Sequence, residues 1–280
     1  MLFVFSQFIN MKNNYKMSQL NIDNGIIGFF DILGYQNLLE KNEPEDIAQK
    51  ILPILTGLSI GTTDIMTNFI GSSGKNNEAV DLAMRMVHSI QWLVFSDTIL
   101  IALPVANNST HALVSWMTFL PACIYIQNRM FLAGLPLRGV INYGKFFIKD
   151  NFFAGKCIIE SYKLCQKLEL SACVLTEMAS NEVDKSSMIM KPIDENFNFR
   201  NVFFYNYQIP IKDGTIQLDT LTAHTWTADP PKDFHSMVMD SFGSHNKDIP
   251  QAANIKITNT EQWLSFLGMK RKNTIISKTV

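Results

Sequence analysis

This chain of 280 residues has few cysteines, almost no net charge, and no His or Cys pairs at the spacing of metal ligands. It has 4 cysteines and no Cys-x-x-Cys pair, which excludes a disulfide framework and a zinc site of the finger type. Its 5 histidines are scattered, without a His or Cys partner at metal-ligand spacing. The formal net charge of −1 and the absence of a long Lys/Arg block argue against a nucleic-acid partner.

Long runs that are wholly apolar are missing as well. Residues 108–133 are nearly uncharged, but they include polar side chains and Pro121, so we predict a core or subunit-interface helix rather than a membrane span. The apolar start, residues 1–9, is too short to cross a bilayer and lacks the basic start and cleavage site of a signal peptide. We therefore expect a cytoplasmic protein with no membrane span, reduced cysteines and a fold that begins near residue 20.

The most informative stretch that is present covers residues 24–35. It is a short run rich in Ile and Phe between turn residues, which predicts a buried strand. The run ends in Asp31, and a buried carboxylate is costly unless a cation or several hydrogen-bond donors meet it. Gly34 then allows a tight turn and a close approach to an anion as the next helix begins.

A second segment, residues 90–104, has the same arrangement. Two apolar arms of β type flank Ser96-Asp97-Thr98, which predicts a hairpin with an acidic tip. Two aspartates at the ends of buried strands suit Mg or Mn holding a phosphate. Local hydrogen bonding within the turn is the alternative role for Asp97.

Strands and helices alternate around hairpins along the remaining chain, which predicts an α/β (α+β) sandwich with a mostly antiparallel sheet flanked by helices. A segment rich in Gly, Ser, Thr and Asn, residues 61–77, predicts a loop. We further expect helices at 44–58, 155–168, 234–241 and 260–267, strands at 138–148 and 172–176, and a hairpin that turns at Lys212-Asp213-Gly214.

Four blocks of the sequence resemble those of class III nucleotidyl cyclases, in the same order. Residues 29–35, FFDILGY, resemble the first metal-binding segment, whose usual form is Phe-x-Asp-Ile-x-Gly-Phe. Residues 96–98 resemble the second metal-binding hairpin, and residues 137–144 resemble the Arg-x-Gly-Ile-x-x-Gly strand. Residues 153–164 fall where the family carries its Gly-x-x-x-Asn-x-Ala-x-Arg-Leu helix. The resemblance covers roughly residues 25–180 and implies a class III cyclase-like sandwich.

Two short motifs near the C-terminus make bacterial Pycsar-type pyrimidine (uridylate) cyclases the most similar subfamily. They are PIKDG at 210–214 and NTEQWLSFL at 259–267. The resemblance implies an N-terminal extension at 1–20, a nucleotidyl cyclase catalytic domain at 21–185, and a C-terminal extension at 186–280. That last part would contain the strand hairpin and helices packed on the same domain.

The chemistry implied by the resemblance is the cyclisation of a nucleoside triphosphate, UTP in the first hypothesis, to 3′,5′-cyclic UMP and pyrophosphate. Two Mn2+ or Mg2+ ions per site would be held by Asp31, Asp97 and the carbonyl of Ile32. Amides from Leu33 to Tyr35 would hold the β and γ phosphates.

The match departs from the family in the helix that supplies a transition-state Asn and Arg. Those places hold Ile159 and Lys163. Lys163 and Arg138 are therefore the candidate catalytic cations, with Lys156 as a further substrate-binding candidate and Glu160 as another residue that could compensate. The open alternatives are an alignment shifted by one residue, or a slow or inactive protein.

The base pocket departs from the adenylyl cyclases too. Their Lys on the hairpin strand and their Asp before the last helix correspond roughly to Leu93 and Phe152. Such an exchange fits a pyrimidine better than adenine, because base specificity comes from satisfied hydrogen bonds. Core packing is the equal alternative for both residues.

The resemblance also implies partners. We expect a homodimer with sites at the interface, and a separate effector protein that reads the cyclic nucleotide in antiphage defence. The alternatives within the class are a cyclic CMP or a purine cyclase. From another class, the alternative is a degenerate cyclase-fold sensor that binds nucleotide without turnover.

Overall fold

A computed structural model describes residues 23–70, 84–106, 109–149, 152–190, 199–223 and 233–278. Its strands are β1 (Asp23–Ile32), β2 (Gln91–Phe95), β3 (Thr98–Pro104), β4 (Leu137–Lys149), β5 (Phe152–Ala154), β6 (Cys173–Leu175), β7 (Phe204–Ile211) and β8 (Gly214–Leu221). Its helices are α1 (Tyr35–Lys41), α2 (Pro44–Thr56), α3 (Leu58–Ile70), α4 (Ser109–Leu132), α5 (Lys156–Cys165), α6 (Glu177–Met190), α7 (Phe199–Phe203), α8 (Phe234–Gly243) and α9 (Gln251–Lys278). A further helical segment covers residues 84–89.

One eight-stranded sheet organises the described residues, in the order β2-β3-β1-β4-β6-β8-β7, with β5 paired to β4 outside this path. Strand β1 lies between β3 and β4 and is antiparallel to both. Strands β4 and β6 are parallel, whereas β6–β8 and β7–β8 are antiparallel. The predicted mixed α/β fold, a mostly antiparallel sheet flanked by helices, is confirmed.

The side-chain alternation of β1 explains why helices cover both faces of the sheet. Ile26 and Phe30 point to one face and join a core cluster with Trp116 of α4. Phe29 points to the other face and joins a cluster that includes Trp263 of α9. Because both faces are buried, β1 reads as a continuous apolar run, and Asp31 stands out at its end.

The segment predicted as a loop, residues 61–77, is helical in its first part, so this prediction was wrong there. Residues 58–70 form α3, and residues 71–77 lie outside the described residues. A side chain on Gly61 would clash with the Tyr125 ring, which shows how closely α3 packs on α4. Tertiary packing has overridden a local composition typical of turns.

The C-terminal part joins the same sheet through β7 and β8, and its predicted hairpin turn at Lys212–Asp213 is confirmed. The helix expected at 260–267 belongs to the much longer α9. Ring centroids of Trp263 and Tyr207 lie 4.8 Å apart, so α9 packs directly on β7.

Residues 1–20 lie outside the described part of the chain. None of the helices described here has the length and apolarity that a membrane span needs.

Candidate active site

Asp31 lies in a row of side chains that crosses four strands. It pairs with Thr98 of β3 on one side and with Arg138 of β4 on the other. Thr98 in turn pairs with Phe95 of β2. Residues directly opposite each other in antiparallel strands point to the same face, so the four side chains form one row at the end of the sheet.

The carboxylate of Asp31 is buried and bonded within the chain. Arg138 Nε donates to Asp31 Oδ2 at 2.7 Å, and the two residues are only 4% and 8% exposed. Gln166, which follows α5, closes a ring: its Oε1 accepts from Arg138 at 2.8 Å, and its Nε2 donates to Asp31 Oδ1 at 3.3 Å. The donors that a buried carboxylate requires are therefore supplied by β4 and α5.

Asp97 lies at the same end of the sheet, in the two-residue turn between β2 and β3. The turn has Ser96 in a left-handed conformation, with φ of 56°. The main-chain carbonyl of Asp97 accepts from the Ile32 amide at 2.8 Å, which fixes the turn beside the residue that follows Asp31. The predicted acidic hairpin is confirmed.

The two aspartates influence each other electrostatically. The pKa of Asp31 is raised, chiefly because burial disfavours its charged form, while Arg138 opposes this shift and the charge of Asp97 adds to it. The pKa of Tyr35 is raised by burial and by Asp97 as well. The charge of Asp97 thus acts on both Asp31 and Tyr35, beside the guanidinium that pairs with Asp31.

The turn after Asp31 is centred on Gly34, whose φ of 76° places it in the left-handed region as the N-cap of α1. A side chain at this position would meet nothing closer than the Cδ of Lys247, at 3.9 Å. The Leu33 amide is already donated to the Pro136 carbonyl at 2.9 Å. Of the three amides expected to hold phosphates, that of Leu33 is therefore committed within the chain.

The predicted residues on α5 point away from the core. Cys157, Ser161 and Cys165 form the buried side of this helix, whereas Ile159 and Lys163 are exposed. Lys163 lies one turn before Gln166. Within one chain, the side chains that bond to Asp31 are those of Arg138 and Gln166. Lys156 instead forms an ion pair with Glu160 at 3.5 Å.

The two predicted base-pocket residues lie in different surroundings. Leu93 is half-buried on β2 and packs against the cluster that contains Phe29. Phe152 is exposed on β5, where it pairs with Lys149 of β4. Lys149 is eleven residues from Arg138 along β4, roughly 36 Å at the usual rise of a strand. Phe152 therefore lies far from Asp31 of its own chain.

Sequence reasoning missed Gln166 and Phe95, and it named Thr98 only as part of the Asp97 turn. The row that contains Thr98 could have been found from the alternation of β1 and β3, since both strands were predicted. Phe95 is 75% exposed, an unusual state for an aromatic side chain beside a buried row. Gln166 carried no local signal, because its contacts with Asp31 depend on where α5 ends against β4.

The donors at this corner fit a hard divalent cation. Asp31, Asp97 and the Ile32 carbonyl would offer oxygen ligands, which Mg2+ and Mn2+ prefer. No group of three or more His, Cys, Asp or Glu suited to a metal occurs within the described ranges. Phosphate oxygens of a substrate would complete the coordination, as is usual for Mg2+ held by one or two carboxylates.

The sequence matches no protein-family model and no curated protein sequence. Among solved structures, it is similar to a bacterial light-regulated adenylyl cyclase, with a TM-score of 0.40, 12% identity, 81% of this chain covered and 65% of that one. The catalytic core of a rhodopsin-guanylyl cyclase with converted specificity, in complex with ATPαS, gives a TM-score of 0.40 and 11% identity over 72% of this chain and 96% of that one. A class III adenylyl cyclase-like ATP-binding protein from Pseudomonas aeruginosa gives 0.34 and 14% over 57% and 34%. Function is therefore inferred from the geometry around Asp31.

Proposed function

We propose that the chain is a nucleotidyl cyclase that converts a nucleoside triphosphate, UTP first among the candidates, to a 3′,5′-cyclic nucleotide and pyrophosphate. The observation that carries this proposal is the pair of aspartates at one end of the sheet. The segments that carry Asp31 and Asp97 are joined there by the hydrogen bond from the Ile32 amide to the Asp97 carbonyl. The Gly34 turn follows directly after Ile32 and Leu33.

The chain's own residues have defined tasks in this proposal. Mn2+ or Mg2+, two per site, held by Asp31, Asp97 and the Ile32 carbonyl, would lower the pKa of the attacking 3′-hydroxyl and neutralise charge on the pyrophosphate. Arg138 keeps Asp31 oriented, so the carboxylate needs little reorganisation on binding. The amides of Gly34 and Tyr35 would contact the β and γ phosphates.

A second copy of the chain would complete the site. Lys163 is exposed and Phe152 lies far from Asp31 of the same chain, which supports a homodimer in which these residues and Lys156 face the metal corner of the other copy. Ile159 and Tyr162, 56% and 51% exposed on α5, give that surface an apolar part. Lys163 would then place positive charge near the α-phosphate.

A pyrimidine base is the first choice because Leu93 and Phe152 stand where the resemblance implies polar adenine-binding residues. Leu93 and Phe95 project from β2 on the same face as Asp31, where apolar side chains can pack on the face of a base but form no hydrogen bonds to its edge. Cyclic CMP and purine cyclases are the alternatives. The cyclic product would serve as a cytoplasmic signal in antiphage defence, read by a separate effector protein; only the sequence resemblance supports this role.

The test is incubation of the purified chain with Mn2+ and each of the four ribonucleoside triphosphates, with cyclic products resolved by mass. Wild type is compared with Asp31→Asn, which keeps the shape of the side chain, and with Asp213→Asn in the β7–β8 turn as the matched control. We expect one cyclic pyrimidine product, lost in Asp31→Asn and kept in Asp213→Asn. Product that persists in Asp31→Asn would remove Asp31 from the chemistry and overturn the proposal.

A nucleotide sensor without turnover is the second candidate. The observation that favours it is Ile159, whose side chain cannot form a hydrogen bond where the resemblance implies an Asn. Binding of a triphosphate by wild type, together with no cyclic product from any of the four substrates, would support the sensor. An increase in product on Ile159→Asn would instead support a slow cyclase.

A further inference from the structure

Residues 244–248, in the loop between α8 and α9, lie against α1, about two hundred residues away in sequence. Asn42 donates its side-chain amide to the His245 carbonyl at 2.7 Å. Asp248 donates its backbone amide to Asn37 Oδ1 at 2.7 Å and forms an ion pair with Lys41 at 2.9 Å. This loop, called the C-terminal loop below, therefore holds the helix that starts at the Gly34 turn.

The same loop also holds the segment that leads into β4. A ring nitrogen of His245 lies 2.7 Å from the Ala133 carbonyl, and Lys247 Nζ donates to the Gly134 carbonyl at 2.8 Å. Two residues further on, the Pro136 carbonyl accepts from the Leu33 amide. The C-terminal loop thus contacts both α1, which starts at the Gly34 turn, and the connection that precedes Arg138.

Lys247 is the centre of this arrangement. It is 8% exposed, its Cδ lies 3.9 Å from the point where a Cβ on Gly34 would lie, and its second carbonyl partner is Ser241 at 3.3 Å. No carboxylate within the described residues forms an ion pair with it, so the buried cation is held by carbonyl groups. Burial lowers the pKa of its ammonium to about 8.

The backbone of the loop has two consecutive residues in the left-handed region. His245 and Asn246 both have positive φ, 62° and 57°, in the left-handed region that residues other than glycine rarely adopt. Such conformations persist where the surrounding contacts enforce them, and they are concentrated at functional sites. A buried lysine and two left-handed residues therefore occur side by side in this loop.

We propose that the C-terminal loop is a positioning element of the nucleotide site, with Lys247 as its main positioning residue. The bond of Lys247 to the Gly134 carbonyl and the contacts of the loop with α1 fix the phosphate-binding turn, where α1 starts, relative to the strand ends that carry Asp31 and Arg138. This inference rests on the proposed function, in which the Gly34 turn receives the β and γ phosphates. Affinity for the triphosphate part of the ligand therefore depends on Lys247, whereas affinity for the nucleoside part does not.

The test measures binding of UTP and of UMP to the full chain with Mn2+ by calorimetry. Lys247→Met keeps an unbranched apolar stem against Gly34 and removes the two bonds to carbonyls. We expect the Kd for UTP to rise about tenfold, as expected for a displaced binding group, with the Kd for UMP unchanged within about twofold. Lys247→Arg should recover part of the loss. Lys256→Met, which removes a different part-buried lysine paired with Glu169, is the matched control.

Asn42→Ala is the second variant, and it keeps the inference testable if Lys247→Met does not fold. It removes the bond to His245 at a part-buried site and should produce the same selective loss of UTP affinity. Equal losses for UTP and UMP, no loss in either variant, or an effect matched by Lys256→Met would overturn the inference.

The outcomes separate this inference from the cyclase proposal. A wild-type chain that binds UTP with the Lys247 dependence but makes no cyclic nucleotide keeps the inference and removes the enzyme. If wild type makes a cyclic product and Lys247→Met binds UTP as tightly as wild type does, the cyclase proposal is kept and the inference about Lys247 is removed. A wild-type chain that binds no nucleotide removes both.

Discussion

Asp31 and Arg138 pair across two neighbouring central strands, with the guanidinium Nε 2.7 Å from the carboxylate Oδ2 and both side chains buried. The register of β1 and β4 places them opposite each other, so the sheet rather than a loop determines their geometry. A carboxylate held in this way is already oriented before any ligand arrives. The stability of the fold therefore also depends on this buried charge pair.

The first prediction concerns that dependence. Arg138→Met leaves Asp31 buried without its cation, and we expect the free energy of unfolding to fall by about 3–5 kcal/mol. The double variant Asp31→Asn, Arg138→Met should lose clearly less than the sum of the two single variants, because no uncompensated charge remains. Urea unfolding at neutral pH measures all four members of the cycle. Additive losses would show that the pair is not coupled.

Lys247 gives a prediction on pH. Its folded-state pKa of about 8 lies below the ordinary lysine value of 10.5, so the unfolded chain binds more protons between these two values. Stability contributed by this group is therefore present above pH 10.5 and lost as the pH falls through 8. This pKa shift corresponds to about 3 kcal/mol of unfolding free energy.

The measurement is the difference in unfolding free energy between wild type and Lys247→Met at intervals from pH 7 to 10. Subtracting the variant removes the titration of groups common to both proteins, including nearby His245, Lys41 and Asp248. We expect wild type to gain stability relative to Lys247→Met as the pH rises. A difference that stays constant across this range would mean that the lysine is well solvated.

Local patterns in the sequence were sufficient to predict β1 and the Asp97 hairpin, since each combines an apolar run with a turn signal. They could not predict the Asp31–Arg138 pair, because it joins positions 107 residues apart through strand register. Helix α3 was missed because its composition is typical of a loop and its packing on α4 decides its structure. Residues 244–248 gave no signal, since their contacts with α1 and the α4–β4 connection are all tertiary.

The cysteines provide a third prediction. All four are buried and free, and burial raises the pKa of each thiol, that of Cys157 to about 11. Because the thiolate is the reactive form, we expect almost no reaction with a disulfide reagent at pH 8 in the native protein. All four should react after unfolding in urea. Fast labelling of one thiol in the native state would identify a region that opens locally.

The last prediction concerns the attachment of the C-terminal extension, whose domain boundary at residue 186 is so far based on the sequence alone. Trp263 of α9 is fully buried against Tyr207 of β7, and β7 belongs to the same sheet as Asp31. Trp263→Ala should therefore lower the free energy of unfolding by about 3–5 kcal/mol, through lost burial and the cavity it leaves. Met269→Ala, at an exposed position on the same helix, should change it by less than about 0.5 kcal/mol.

The shape of the unfolding curve then decides between one cooperative unit and two. If the extension folds with the rest of the sheet, Trp263→Ala moves a single urea transition, and circular dichroism and tryptophan fluorescence report the same midpoint. An independent extension would give a second transition that alone responds to Trp263→Ala. Because β8 pairs with β6 and α9 shares a core cluster with Val140 of β4, we expect the single transition.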